Sequence, residues 1–310
     1  MTQKHVGLIG CGRWGRLIAR DLKTLGCRLS VADCSAVGRN NAEQAGADAI
    51  VDDIDALPGV DGIVIATQTT MHVQVIDQVL ERDVPVFCEK PLGHDAASVR
   101  SLAQRAEGQV FVMHKWRYHP GVQELARIAR DAQLGPVLAL ATRRMGWGHD
   151  YPDVDASWIL LPHEYSIALE ILGSVPMPRM ARAEVYGRDL LAMMILADGA
   201  VTHSCEINAR TLVRERRVEL RCRDGVAVLA DAHADYVHIV RNPVHGRSEP
   251  VIERRAIAVT MPLYDELAAF LAYLEGGPPP KSSMAETTAI MDAIASAREL
   301  AGLIPDAPLA

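Results

Sequence analysis

The stretch His5-Val6-Gly7-Leu8-Ile9-Gly10-Cys11-Gly12-Arg13-Trp14-Gly15 decides the fold of the first half of this chain. An apolar run over 5–9 reads as a strand. From about residue 14 to 25, Leu17, Ile18, Leu22 and Leu25 recur at helical spacing, which predicts a helix with one apolar stripe. The three glycines fall between strand and helix, where each has a physical task. Gly10 permits a tight turn, Gly12 lets backbone approach a bulky anion, and Gly15 lets the helix pack closely against the strand. A helix N-terminus placed there offers free N–H groups to a phosphate.

Outward from that turn, short β runs alternate with amphipathic helices as far as about residue 120. Strands are expected at 28–32, 63–66, 84–88 and 110–113. Thr70 is a candidate cap for a helix running to 81, and Asp95 for one running to 107. Apolar strands separated by helices predict a parallel sheet with right-handed crossovers. After Pro120 the pattern changes. One helix over 121–132 is followed by longer alternating runs at 137–145, 190–196, 200–207, 218–222, 226–229 and 237–240. Asp198-Gly199 and Asp224-Gly225 are hairpin signals between neighbouring runs. A helical segment over 163–172 interrupts them. Helices over 263–274 and 283–303 close the chain, the last with Ser283 and Glu286 as a capping box. The expected architecture is α/β: a doubly wound parallel domain over 1–119, then an α+β domain over 120–310 built on an open, mostly antiparallel sheet.

Composition narrows the function classes. The chain has 310 residues, 49% hydrophobic and 23% charged, enough to bury two ordinary cores. Its net charge of −7 gives no electrostatic reason to expect nucleic acid or an anionic membrane as partner. No apolar run approaches the roughly 20 residues that span a bilayer, and Met1 runs almost directly into the first strand, leaving no room for a signal peptide. Six cysteines without paired spacing suit free thiols in a reducing cytoplasm, and no spacing suggests a metal site.

Asp33 ends the second strand, 18 residues after Gly15. A carboxylate there accepts ribose hydroxyls and repels a 2′-phosphate, which favours NAD over NADP. Arg39 leaves NADP open. A ligand-free glycine turn is the plainer alternative. The strand ending in Glu89-Lys90-Pro91 puts a lysine at the rim of the expected crevice.

The chain resembles the glucose–fructose oxidoreductase/inositol dehydrogenase (Gfo/Idh/MocA) family in four segments taken in order. These are Gly10–Gly15 as quoted, Ala66-Thr67-Gln68-Thr69-Thr70-Met71-His72, Glu89-Lys90-Pro91, and Trp116-Arg117-Tyr118-His119-Pro120. The resemblance implies a Rossmann domain carrying NAD(P), with Gly10, Cys11, Gly12, Arg13, Trp14, Gly15, Asp33, Ala66, Thr67, His72, Glu89 and Lys90 at the cofactor. It also implies a second domain whose sheet roofs the active site and forms a homodimer or homotetramer interface. By the same resemblance Lys90 bonds the reacting oxygen, and the Lys90–Pro91 bond is a candidate cis peptide.

The family's second catalytic motif, Asp-x-Gly-x-His-x-x-Asp, aligns with Ile159-Leu160-Leu161-Pro162-His163-Glu164-Tyr165-Ser166. His163 takes the histidine's place. The two aspartates and the glycine are replaced, in a form similar to the Pro-His-Asp-x-Ser of some sugar-nucleotide dehydrogenases in the family. Hydride transfer at a carbinol carbon needs a group that takes or gives the hydroxyl proton, and histidine titrates in the working range. His163 is therefore the expected acid/base and Lys90 its electrostatic partner, with Glu164 orienting substrate or His163.

Trp116, Arg117 and Tyr118 are candidates for the substrate pocket or for packing. His149, Asp150, Tyr151 and Asp153 read as a solvated loop. Arg214, Arg216, Arg217, Arg221 and Arg223 suggest a phosphate patch, although alternation with Val218, Leu220 and Cys222 fits a strand's solvent face better. The expected function is an NAD(P)-dependent oxidoreductase on a sugar, polyol, sugar nucleotide or related cyclic metabolite. Its rivals are an imine reductase, a redox-cycling lyase or glycosidase, and a non-catalytic NAD-sensing protein.

Overall fold

A computed structural model describes residues 3–148, 153–187, 189–242 and 251–303. Six strands form the first sheet: β1 (His5–Ile9), β2 (Arg28–Ala32), β3 (Ala49–Val51), β4 (Gly62–Ile65), β5 (Val86–Glu89) and β6 (Val110–Met113). Between them lie α1 (Gly15–Thr24), α2 (Ala36–Gln44), α3 (His72–Val79) and α4 (Ala96–Ala106). The spatial order is β3-β2-β1-β4-β5-β6, with every pairing parallel. The order therefore reverses direction beside β1, the switch point at which open α/β sheets bind ligands beyond their strand ends. Val6, Leu8, Val64 and Phe87 on β1, β4 and β5 are fully buried, as strands covered by helices require.

The second sheet follows α5 (Pro120–Arg130). Its strands are β7 (Val137–Trp147), β8 (Met177–Tyr186), β9 (Asp189–Asp198), β10 (Thr202–Asn208), β11 (Arg210–Cys222), β12 (Gly225–Leu229), β13 (Tyr236–Arg241) and β14 (Val251–Ala256). α6 (Ala156–Leu172) lies between β7 and β8. Sheet order is β14-β13-β12-β11-β7-β10-β9-β8, antiparallel except where β10 runs parallel to β7. Both Asp-Gly hairpins form where expected, between β9 and β10 and between β11 and β12. α5 and α6 bury one face against Leu140, Val218, Leu220 and Leu229. The other face carries Met180, Met194 and Leu196 in the open.

α7 (Pro262–Leu274) and α8 (Met284–Leu300) end the described chain. Two compact units result, and their division differs from the expected break at 119/120. The first unit holds the chain through Lys115 together with Met261–Thr288; the second holds Trp116–Thr260 and the chain from Ala289 on. Connectivity suggested that α7 belonged with the second sheet. Packing decides otherwise, because its Leu263, Leu267 and Phe270 join the core of Val6, Leu8, Val64 and Phe87. Phe270 stacks on Phe87 with ring centroids 5.1 Å apart.

Local signals held unevenly. Asp95 caps α4 by accepting from the N–H groups of Ala97 and Ser98. The capping box also forms, with Ser283 Oγ accepting from Glu286 N and Glu286 Oε2 accepting from Ser283 N. Thr70 does not cap α3: Thr69–Met71 make a 3-10 turn and α3 begins at His72 with no side-chain cap. α6 starts at Ala156, seven residues before the expected helix. Asp155 caps it through Ser157 N at 2.9 Å, and Arg298 Nη1 donates to Asp155 Oδ2 and Ser157 Oγ. Pro162 sits inside this helix and cannot donate to the carbonyl of Trp158, so sequence pattern alone argues for a break there. Burial of Trp158, Leu160, Leu161, Tyr165 and Ile167 outweighs that missing bond. Among the described residues, no helix is long and apolar enough to cross a membrane.

Phe270→Ala should cost about 3–5 kcal/mol of unfolding free energy, as the loss of a fully buried ring does. Urea denaturation followed by circular dichroism checks this.

Candidate active site

The first unit gathers its candidate residues at the C-terminal ends of β1, β4 and β5. Gly10 has φ +88°, and a Cβ there would lie 2.8 Å from the carbonyl oxygen of Ala66. A Cβ on Gly15 would overlap the carbonyl of Gly10. Gly12, in contrast, is exposed and faces open space. Two glycines thus close the turn and the third leaves backbone accessible. No side chain caps α1; in its first turn Arg16 N donates to Gly12 O at 3.1 Å and Leu17 N to Trp14 O at 2.9 Å.

Asp33 ties the turn to the strand beside it. Its Oδ2 accepts from Cys11 N at 2.7 Å, and its Oδ1 accepts from Ser35 N at 2.8 Å and Ser35 Oγ at 2.7 Å. Oδ1 is thereby filled, and Oδ2 keeps a further lone pair for a hydroxyl donor. Arg39 Nη1 donates to the carbonyls of Asp33 and Cys34, which places a cation beside the same loop. After β4, Ala66 is half-buried, and the hydroxyl of Thr67 is buried with no hydrogen-bond partner among the described residues. His72 is 1% exposed. Its Nδ1 lies 2.8 Å from Pro91 O and its Nε2 3.2 Å from Thr67 O, so the ring bridges two site loops through backbone. This scaffold role is one the sequence did not suggest for it.

Glu89 and Lys90 end β5. The Glu89 carboxylate accepts from Trp14 Nε1 and, through Oε2, from Lys90 N at 3.0 Å. Lys115 Nζ sits 4.3 Å from the Trp14 ring centroid. The Lys90–Pro91 peptide is cis. Burial pushes the Glu89 carboxyl up, while Lys90, Lys115 and the hydrogen bonds from Trp14 and Lys90 oppose it. An accessible glycine backbone, an uncapped helix start, an acidic residue after β2 and an orphan Thr67 hydroxyl together fit a dinucleotide. Arg13 is exposed beside them.

In the second unit His163 is buried in the interior of α6 rather than at its start. Ser166 Oγ donates to its carbonyl at 2.8 Å. Glu164 is 1% exposed and pairs with Arg144 Nε on β7 at 2.5 Å. The Arg144 guanidinium also lies 4.6 Å from the Trp116 ring centroid. Arg144 was missed by the sequence reading. The signal was present in β7, where Leu140, Thr142 and Arg144 share the inward parity. Arg117 pairs with Glu170 of α6 at 3.0 Å, Trp116 joins the apolar core, and Tyr118 is buried.

Arg217 and Arg221 of β11 both pair with Glu219, and Arg223 just beyond the strand pairs with Asp224, so these three charges are compensated. His149, Asp150 and Tyr151 lie outside the described residues. No group of three or more His, Cys, Asp or Glu suited to a metal occurs among the described residues.

Residues 4–114 match the GFO_IDH_MocA family, described as an oxidoreductase family with an NAD-binding Rossmann fold. That match covers 111 of the chain's 310 residues, and over them the chain is similar to that family. Inositol 2-dehydrogenase 1 of Paenarthrobacter aurescens is 31% identical over 152 residues, a stretch that spans 44% of this chain and 44% of that protein. The chain thus matches less than half the length of that relative. Inositol 2-dehydrogenase of Rhizobium meliloti is 27% identical over 302 residues, covering 87% of this chain and 88% of that one. Among solved structures, UDP-N-acetylglucosamine 3-dehydrogenase from Acidithiobacillus ferrooxidans superposes with a TM-score of 0.85 at 21% identity, over 98% of this chain and 99% of that one. Levoglucosan dehydrogenase, in a complex with NADH and levoglucosan, gives 0.85 at 16% identity over 97% of this chain and 98% of that one. At such identities the two structures speak for the fold, α/β followed by α+β, across nearly the whole chain.

Arg144→Met should destabilise the protein by about 3–5 kcal/mol, because it strands the buried Glu164 carboxylate. Arg144→Met/Glu164→Leu should recover most of that loss. Urea unfolding of both variants makes the comparison.

Proposed function

We propose that the protein is an NAD-dependent oxidoreductase that interconverts a secondary alcohol and a ketone on a sugar, polyol, sugar nucleotide or related cyclic metabolite, with Lys90 and His163 handling the proton. The observation that supports it most is the position of Lys90. It follows β5 on the same sheet edge as the glycine turn, and its backbone is held by Glu89. NAD, when bound, supplies a carbon that accepts or returns a hydride. The chain's own residues do the rest. Gly12 and the start of α1 receive the pyrophosphate, and the Asp33 carboxylate accepts the ribose hydroxyls. The ammonium of Lys90 stabilises charge developing on the substrate oxygen, and the imidazole of His163 takes up or delivers the hydroxyl proton. Glu164 acts on neither directly; its carboxylate is engaged by Arg144. The likeness to inositol, levoglucosan and sugar-nucleotide dehydrogenases supports a polyhydroxylated substrate.

We place the reaction in the cytoplasm, where Cys11, Cys27, Cys34, Cys88, Cys205 and Cys222, all free, stay reduced. We also propose that a homodimer or homotetramer forms through the second sheet. Its open face combines Met180, Met194 and Leu196 with the ion pairs Arg143–Glu206 and Arg217–Glu219.

Lys90→Ala should reduce turnover by roughly two to four orders of magnitude while NADH affinity stays nearly intact. Steady-state kinetics on a polyol and sugar-nucleotide panel, paired with NADH fluorescence titration, measures both, and surviving turnover would remove Lys90 from the mechanism. Asp33→Ala should weaken NADH binding and raise the relative affinity for NADPH. An unchanged ratio of the two dissociation constants would transfer the discrimination to another residue, Arg39 first.

A further inference from the structure

Glu266, on α7 in the first unit, is a carboxyl group with 0% exposure and no hydrogen-bond partner for either oxygen among the described residues. Nothing in its packing explains a polar residue. Its neighbours on the helix, Leu263, Leu267 and Phe270, all belong to the apolar core. A carboxylate stranded in such surroundings is costly, whereas the neutral acid is far cheaper to bury.

Phe270, one turn further along α7, stacks on Phe87, which lies two residues before Glu89 on β5, and the charged groups that act on Glu266 are Glu89, Lys115 and Lys90. On its own helix Asp265 is only half-buried. The two glutamates are unequal. Glu89 accepts from the Trp14 indole and from Lys90 N, two donors that favour the ionised form, and Glu266 accepts from none. Burial first, and then the charge on Glu89, pushes the Glu266 carboxyl well above the ordinary glutamate range; the two lysines oppose this. Two carboxyls that feel one another in a dry site do not both ionise readily.

We propose that Glu266 and Glu89 form a carboxyl pair behind Lys90 that holds one proton, carried by Glu266, and one negative charge, carried by Glu89. The inference rests on the reading of Lys90 given above and assigns Glu266 as a positioning residue for that lysine's charge. With one ionised carboxylate facing two ammonium groups, the cluster carries a net +1, and Lys90 can lose a proton with the cluster ending neutral. Were Glu266 ionised as well, the cluster would already be neutral, and Lys90 would be held as an ammonium. The proton on Glu266 thus keeps Lys90 able to exchange its own.

The test needs no substrate. A raised carboxyl in the folded state binds a proton that the unfolded chain has released, so wild-type stability should fall as pH rises above about 4.5 toward the folded value. Glu266→Gln removes that dependence. Its melting temperature relative to wild type should therefore climb with pH, by roughly 3 °C per pH unit within that window. A difference that is flat with pH overturns the proposal. Infrared spectra of the full-length protein supply a second arm that does not require this variant to fold. Wild type should show a protonated-carboxyl C=O band persisting at neutral pH, and in Glu89→Gln that band should disappear at lower pH. No such band in wild type refutes the protonated Glu266. A band unmoved by Glu89→Gln refutes the pair, leaving burial alone. Neither readout involves turnover, so the pair and the role of Lys90 fail separately.

Discussion

The turn after β1 has no room for a side chain at Gly10 or at Gly15, and the nucleotide site is built on that constraint. Backbone of Gly10 touches backbone after β4, and Gly15 packs against Gly10 itself. Once this contact forms, the start of α1, the end of β2 and the loop after β4 are brought to one sheet edge. Asp33 then locks the arrangement by binding Cys11 N with one oxygen and Ser35 with the other. The residue expected to meet a ribose is also the one that holds the turn shut. Under the proposed function one carboxylate serves both cofactor binding and local stability, so a substitution at Asp33 reports on both.

Beyond the glycine turn, the first unit is organised by charge in a dry place. Glu89 spends its lone pairs on Trp14 and on the backbone of Lys90, and Lys115 lies over the Trp14 ring. α7 contributes a further carboxyl, Glu266, although it lies 151 residues after Lys115 and further still from the other members of the cluster. The second unit repeats the theme with opposite partners. Arg144 neutralises Glu164 one residue from His163, and Arg117 neutralises Glu170 two turns later on the same helix. Buried pairs of this kind add little net stability, but they hold neighbouring groups in one arrangement, because breaking one partner is costly. His203 shows the alternative treatment of a buried base. Desolvation lowers its pKa to about 4, and with Nε2 beside Thr142 Oγ1 at 3.1 Å it stays neutral.

The sequence already determined the glycine turn, the strands beside it, the two Asp-Gly hairpins and the cap residues Asp95 and Ser283. Each depends on φ, ψ or on a partner a few residues away, and such demands are written locally. Tertiary structure decided the rest. It placed α7 with the first unit, because the apolar face of that helix fits Phe87 and its neighbours whatever the chain order. It carried α6 through Pro162, because burying five large side chains outweighs one missing hydrogen bond. It gave Glu164 to Arg144 and His72 to two carbonyls, and it buried Glu266 without a donor. Such pairings join residues from tens to hundreds of positions apart. No spacing rule reaches that far, and only the packed chain brings those groups within range of each other's charge.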